Sequence, residues 1–259
     1  MKKIILAVFA TLIIATSSFA GTKTITVGVT PFPHKDIMIV VKDLLAKEGY
    51  NLVIKEFTDY VTPNTALAEK SLNANFFQHI PYLENTIKEK KLNLTWVAKV
   101  HIEPLGLYSK KIKDISEIKN RAKIAIPNDA TNCARALRLL EKNGLIKVKE
   151  GELITAKDIT SNPKKLKFRE LDAAQLPRTL KDVTAAVINT NFAVEANLVP
   201  SKDAIVIEGK DSPYANVVAV READKENPEI KALIKAVNSK EVKDYITENL
   251  VPKGIVPAF

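Results

Sequence analysis

The chain has 259 residues, of which 39 are Lys or Arg and 30 are Asp or Glu, for a formal net charge of +9, with a single cysteine. One cysteine rules out an intramolecular disulfide, so a fold of this length rests on its apolar core, which it is long enough to bury. Basic residues alternate with acids, as in "ENTIKEKKLNL" and "NPKKLKFRELD", with no aromatic-interleaved basic patch; this is the pattern of solvated helix faces and argues against nucleic-acid binding.

In chain order, residues 1–20 read first as an export signal. Lys2 and Lys3 precede an apolar run over 4–15, and Ser18 and Ala20 set a small–x–small cleavage site before Gly21. The run is too short to span a bilayer comfortably. Glycine rather than cysteine follows the predicted cleavage site, so no lipid acceptor stands there. The expectation is a periplasmic protein without a lipid anchor.

Strand and helix patterns then alternate. "TITVGVTP" reads as a strand. Ile37, Val40, Val41, Leu44 and Leu45 recur at helical spacing, and Gly49 follows. "NLVIKEF" is a strand, "NTALAEKSL" a short helix, "ANFFQ" a short strand, "YLENTIKEKKL" a helix and "LTWVAKVHI" a strand. After Pro104 come "ISEIKNR" as helix, "KIAIP" as strand and "ARALRLLEKNGLI" as a helix closed by Gly144. "KFREL" and "TAAVIN" are strands on either side of the helical turn "QLPRTL". "FAVEANL" is a helix, "NVVAVRE" a strand, and "PEIKALIKAV" and "EVKDYITENL" are closing helices. Such alternation predicts an α/β fold with parallel sheets. The length suits two lobes, residues 21–108 with 213–259 and residues 109–212, with crossings near "PLGLYSKK" and "EGKDSPYAN". A ligand cleft is expected between the lobes, at the carboxyl ends of the strands.

Polar and aromatic residues gather at those ends. Tyr60 ends "FTDY"; Phe77, His79 and Tyr82 lie in "NFFQHIPY"; His101 closes "KVHIEP"; Asn189 and Asn191 follow a strand in "VINTN"; Tyr214 and Asn216 lie at the second crossing. Arg135 falls in the first turn of its predicted helix, beyond the cap-type residues Asn128, Asp129, Thr131 and Asn132. A cation there opposes the helix dipole but suits the holding of an anion. As a set these residues suit a small zwitterion. Arg135 would take a carboxylate, and Asn189 and Asn216 would offer side-chain oxygens to an ammonium. Tyr60, Phe77, His79, Tyr82 and His101 would line an apolar slot, where a thioether gains about 0.3–1.5 kcal/mol per aromatic contact. Each residue also has a plain explanation. Aromatic pairs are commonly core, asparagines at strand ends commonly cap or turn, and a surface arginine is tolerated at small cost.

The same stretches carry a resemblance. "VGVTPFPHKDI", "EFTDYVTPNTALA", "NANFFQHIPYL", "KVHIEPLGLYSKK", "IAIPNDATNCARALRLLEKNGLIK", "ELDAAQLPRTL", "AAVINTNFA" and "SPYANVVAVRE" run in order through nearly the whole chain after residue 20. They are similar to those of the NlpA-type substrate-binding proteins of methionine ABC importers (the MetQ family). The resemblance implies the two-lobed periplasmic binding protein fold of type II, without enzymatic activity or cofactor. It implies a monomer that closes on L-methionine or a close relative and delivers it to an inner-membrane permease and ATPase. A methionine-containing dipeptide or another apolar amino acid are the alternative ligands. Carried over residue by residue, it implies Arg135 as the carboxylate ligand and Asn189 and Asn216 as polar ligands. Tyr60, Phe77, His79, Tyr82 and His101 match the family's side-chain pocket. Two departures stand out: Gly21, where most members carry the anchoring cysteine, and Cys133, close to the presumed carboxylate site.

The residues give less to three other functional classes. A metal-transport reading would use His34, His79 and His101 with a carboxylate, but no ligand-pair spacing such as H-x-x-x-H occurs. An enzyme reading has Glu103, Asp129 and Asp59 for acid–base work, without a G-x-S-x-G elbow, an HExxH or a phosphate-cradling glycine loop. An adhesive role is neither supported nor excluded by the residues.

Overall fold

A computed structural model describes residues 23–209 and 212–259; the expected export signal lies outside the described residues. The apolar runs form strands and the helical-period stretches form helices. The chain begins with β1 (Lys23–Val29), α1 (Asp36–Lys47), β2 (Tyr50–Glu56), α2 (Thr62–Ala68), β3 (Ala74–His79), α3 (Ile80–Lys90) and β4 (Leu94–Ile102). It crosses into β5 (Gly106–Tyr108), β6 (Lys123–Pro127), α4 (Ala130–Lys142), β7 (Lys147–Val148), β8 (Ile159–Ser161) and β9 (Lys167–Leu171). There follow α5 (Leu176–Thr179), β10 (Ala185–Ile188), α6 (Thr190–Glu195), α7 (Pro200–Asp203) and β11 (Ala204–Ile207). It returns through β12 (Ala215–Arg221), α8 (Pro228–Val237), α9 (Lys240–Tyr245) and β13 (Val256–Pro257).

Two sheets carry the two halves. One has six strands in the order β13-β4-β12-β3-β1-β2, the other five in the order β11-β5-β10-β6-β9. Their central strands are parallel, β1 with β2 and β3, and β6 with β9 and β10. The sheets are mixed rather than purely parallel. β12 runs antiparallel to β3 and β4, and β5 antiparallel to β10 and β11. A strand arriving from the other half enters at the end where the parallel strands finish, so it must run against them. The boundary expected after residue 108 also shifts. Gly106–Tyr108, assigned from sequence to the first lobe, pairs in the second sheet.

Each sheet is packed by helices through the faces that the periodicity marked. Ile37, Met38, Val41 and Leu45 of α1 are fully buried against Val27 and Val29 of β1 and Leu233 and Val237 of α8. Leu137 and Leu140 of α4 pack on Ile124, Ile126 and Val187. Burying each such side chain contributes about 1.5–3 kcal/mol. Gly49 (φ +81°) and Gly144 (φ +72°) adopt the left-handed conformation that ends α1 and α4, which glycine reaches without strain.

Some local expectations change. "ISEIKNR" forms only one short turn, Ile115–Glu117, held by a reciprocal cap between Asp114 and Glu117. α4 starts at Ala130, because the Asp129 side chain accepts from the Asn132 N–H at 2.9 Å. Arg135 therefore lies in the second turn, where the dipole penalty has largely faded. Among the described residues no helix is long and apolar enough to cross a membrane.

Candidate functional site

The carboxyl ends of β3, β6 and β10 meet the start of β12 where the two sheets face each other. A cavity lies there, between the two halves. Tyr60, Phe77, His79 and Tyr82 line it from the first half, Arg135 and Asn189 from the second, and Asn216 from the returning strand. Gln78, Glu103, Asn132, Thr190 and Asn191 line it too, although sequence reasoning did not select them as ligand residues. His101 does not. It is fully buried on β4, opposite Asn216 in register, with its ring against Phe76 at 5.4 Å and His34 at 5.0 Å. Its place at a strand end was legible, but not the side on which its ring packs.

A chain of hydrogen bonds sets the second-half wall. The Asp129 carboxylate, at the start of α4, accepts from Asn132 Nδ2 with both oxygens at 3.1 Å. That fixes the Asn132 amide, whose Oδ1 then accepts from Asn189 Nδ2 at 2.9 Å and His79 Nε2 at 3.1 Å. His79 caps α3, its Nδ1 accepting the Tyr82 N–H at 3.2 Å. The ring is therefore the neutral Nε2–H tautomer, assigned from these partners. Burial, reinforced by the Arg135 charge, holds its pKa down to about 3. Asn189 Oδ1 and Asn191 Nδ2 are buried without a partner among the described residues, an acceptor and a donor on side chains that line one cavity.

Two contacts tie the halves together across the cleft: His79 to Asn132, and the Tyr60 hydroxyl donating to Asn191 Oδ1 at 2.6 Å. The Tyr60 ring also lies 4.9 Å from Phe192 and 5.9 Å from both Phe77 and Tyr82. The aromatic slot is thus closed from both sides.

Arg135 is 3% exposed. Its Nε donates to the Glu208 carboxylate at 3.0 and 3.2 Å, and Nη2 donates to Glu208 Oε2 and to the Glu103 carbonyl oxygen, the latter at 2.7 Å. The Tyr214 ring lies under the guanidinium at 4.1 Å. Nη1 has no hydrogen bond among the described residues and belongs to a side chain that lines the cavity. Cys133, two residues earlier on α4, packs in the apolar core of the second half as a thiol that burial, with Glu170 and Asp129, pushes up to about 12. It stays protonated and packs as a small apolar group.

The floor is a buried polar cluster. His34 Nδ1 accepts from the Thr30 hydroxyl at 2.7 Å, and His34 Nε2 donates to Asn216 Oδ1 at 3.2 Å. The Asn216 oxygen thus shares one of its two lone pairs with His34, and the residue lines the cavity. Glu103 lines the cavity as well, and its Oε1 lies 2.8 Å from His101 Nε2 and 3.4 Å from His34 Nε2. Burial raises the Glu103 pKa, while His34 and Arg135 draw it back toward the charged form. Burial lowers His34 to about 4 and His101 to about 3, so both rings are neutral near pH 7. His34, His101 and Glu103 offer donor atoms within 4.8 Å of one another. Their contacts are those of hydrogen-bonded partners, and His79, grouped with them in the metal reading, sits apart on Asn132. The signal for Glu103 was its place in "KVHIEP" after a strand; its neighbours His34 and Asn216 come from distant elements that only the sheet register brings together.

Residues 25–259 match the family model described as NlpA lipoprotein. D-methionine-binding lipoprotein MetQ of Salmonella typhimurium is 46% identical over 216 residues, which cover 81% of this chain and 79% of that one. Outer membrane lipoprotein 3 of Mannheimia haemolytica is 46% identical over 226 residues, 86% of each chain. A nutrient binding protein from Burkholderia cenocepacia, solved bound to methionine, is 47% identical with a TM-score of 0.88, covering 91% of this chain and all of that one. The structure shares the two-lobed fold of these proteins. The names correct the expectation of a protein without a lipid anchor, since both the family and these curated relatives are lipoproteins by description. That expectation leaned on Gly21 alone, outside the described residues. The chain belongs to the NlpA lipoprotein family.

Proposed function

We propose that this protein binds methionine in the cleft between its lobes, as the substrate-binding component of an ABC importer. The observation that carries the reading is one cavity holding both polarities of a zwitterion beside an aromatic slot. Arg135 Nη1 and Asn216 would meet the carboxylate, and Glu103 with Asn189 Oδ1, which has no partner among the described residues, would meet the ammonium. Tyr60, Phe77 and Tyr82 take the thioether side chain. The relative named for D-methionine binding and the methionine-bound neighbour support the same ligand.

The binding residues are divided between the halves, so only the closed arrangement makes every contact. Ligand then shifts an open–closed population by its differential affinity, with residues 103–105 and 212–214, beside the two crossings, acting as the hinge. The closed form is what the permease and its ATPase would receive. Nothing in the cavity is arranged for bond breaking. The neutral histidines position amides and a carboxylate.

The test is thermal unfolding of ligand-stripped protein against a panel of amino acids, including both methionine enantiomers and methionine dipeptides. Methionine is expected to stabilise by about 2.7 kcal/mol at a hundred times its dissociation constant. Stabilisation by a charged or small polar amino acid, with none by methionine, would reject the assignment.

A further inference from the structure

Glu208 is absent from the cavity lining, yet it makes more bonds to Arg135 than any other residue. We infer that Glu208 is the positioning residue for carboxylate recognition: it clamps the Arg135 guanidinium from behind, so that Nη1 alone points at the ligand. The inference rests on the amino-acid reading above.

The count of hydrogens supports it. The Nε–H goes to Glu208, and the two Nη2 hydrogens go to Glu208 and the Glu103 carbonyl. Only the Nη1 pair remains. The Tyr214 ring beneath the plane, at 4.1 Å, blocks tilting. The clamp is itself anchored on both crossings between the lobes. Glu208 follows β11, where the chain leaves the second sheet. Its Oε2 accepts from the Leu105 N–H and the Ser212 hydroxyl, each at 3.3 Å, and its own N–H donates to the Leu105 carbonyl at 2.8 Å. Leu105 lies where the chain enters that sheet. The ligand carboxylate thus reads one nitrogen of an arginine whose angle the hinge segments set.

A competing role, in which Glu208 mimics the ligand carboxylate and must be displaced, is disfavoured by position. Glu208 occupies the Nε edge, is tied to backbone on that side, and does not line the cavity.

The experiment compares Glu208→Gln with wild type. Glutamine keeps the shape and an oxygen for Leu105 but loses the charge. Each protein is titrated with L-methionine and with L-methioninol, which keeps the ammonium and thioether and lacks the carboxylate. The arginine Nε–H signals are also recorded by NMR without ligand. Methionine binding is expected to weaken about tenfold or more, the scale of one charge-assisted bond, with methioninol changed by less than about twofold. The Arg135 Nε–H signal, protected in wild type, is expected to exchange with solvent in the variant. Glu208→Asp, which keeps the charge but falls short, is expected to lie between. Methionine affinity unchanged or tighter overturns the inference, and so does equal weakening of both ligands, the mark of a merely structural role. Wild-type protein that takes methionine while Glu208→Gln behaves identically rejects the inference alone. Wild-type protein that takes no methionine rejects the ligand reading, and the inference with it.

Discussion

Arg135 is nine-tenths and more buried, neutralised on one edge by Glu208 and open on the other to the cavity that holds Glu103 and Asn189. Truncating it removes a charged donor and leaves the Glu208 carboxylate without its cation. A hydrogen bond to a charged group contributes about 1.5–3 kcal/mol, so Arg135→Ala is expected to weaken methionine binding by about ten- to a hundredfold or more. Arg138 lies three residues on, is about two-fifths exposed, and donates to the Gly151 carbonyl outside the cavity. Arg138→Ala is expected to change affinity by less than about twofold, as surface substitutions usually do. Equal small losses in a calorimetric comparison would remove the carboxylate assignment. Asn216→Ala takes away a donor and strips His34 Nε2 of its amide partner; it is expected to weaken binding by about tenfold or more. Wild-type affinity in that variant would place Asn216 outside the site.

At the scale of elements, α4 shows how a cap reaches the ligand. Asp129 caps the helix and orients Asn132, which in turn orients His79 from the first half and Asn189 from the second. Loss of such a cap costs about 0.5–2 kcal/mol. Asp129→Ala is expected to lower stability in urea by about 1 kcal/mol, and to weaken methionine binding as well because Asn132 loses its anchor. A stability loss with unchanged affinity would break the link between cap and site. The long elements were legible because their apolar period exceeds two turns or spans five residues, as in α1, α4 and β1. β5, β7, β11 and β13 have two to four residues each and show no period. Missing β5 is what displaced the lobe boundary. The start of α4 was read late because Ala130, Thr131 and Asn132 look like a loop in sequence, while Asp129 makes them the first turn. For the site, Arg135, Asn189 and the aromatics stood out by type and by following strands. Glu103, Asn132 and Glu208 did not, because their partners lie from 32 to 103 residues away or act through a side chain whose orientation no local pattern records.

For the molecule as a whole, the buried histidines make stability depend on pH. His34, His79 and His101 are held at about 4, 3 and 3, below the ordinary value of 6.5. Between those values the unfolded chain binds protons that the folded protein does not, so stability rises with pH across the window and is lost as pH falls below about 6.5. Glu103, raised by burial, acts in the opposite direction above its own ordinary value and offsets part of the slope. The melting temperature of ligand-free protein is expected to fall steadily from pH 6.5 to 4.5. A flat profile there would contradict neutral, buried histidines. The cavity sets Arg135 and the Glu103 carboxyl where the zwitterion proposed above would meet them on closure. The most direct test is calorimetric titration with L-methionine of protein unfolded and refolded to strip bound ligand, wild type beside Arg135→Ala. Saturable one-to-one binding at micromolar affinity or tighter, lost in the variant, is the expected result. No binding by the wild type, or equal binding by both, would contradict methionine capture through Arg135.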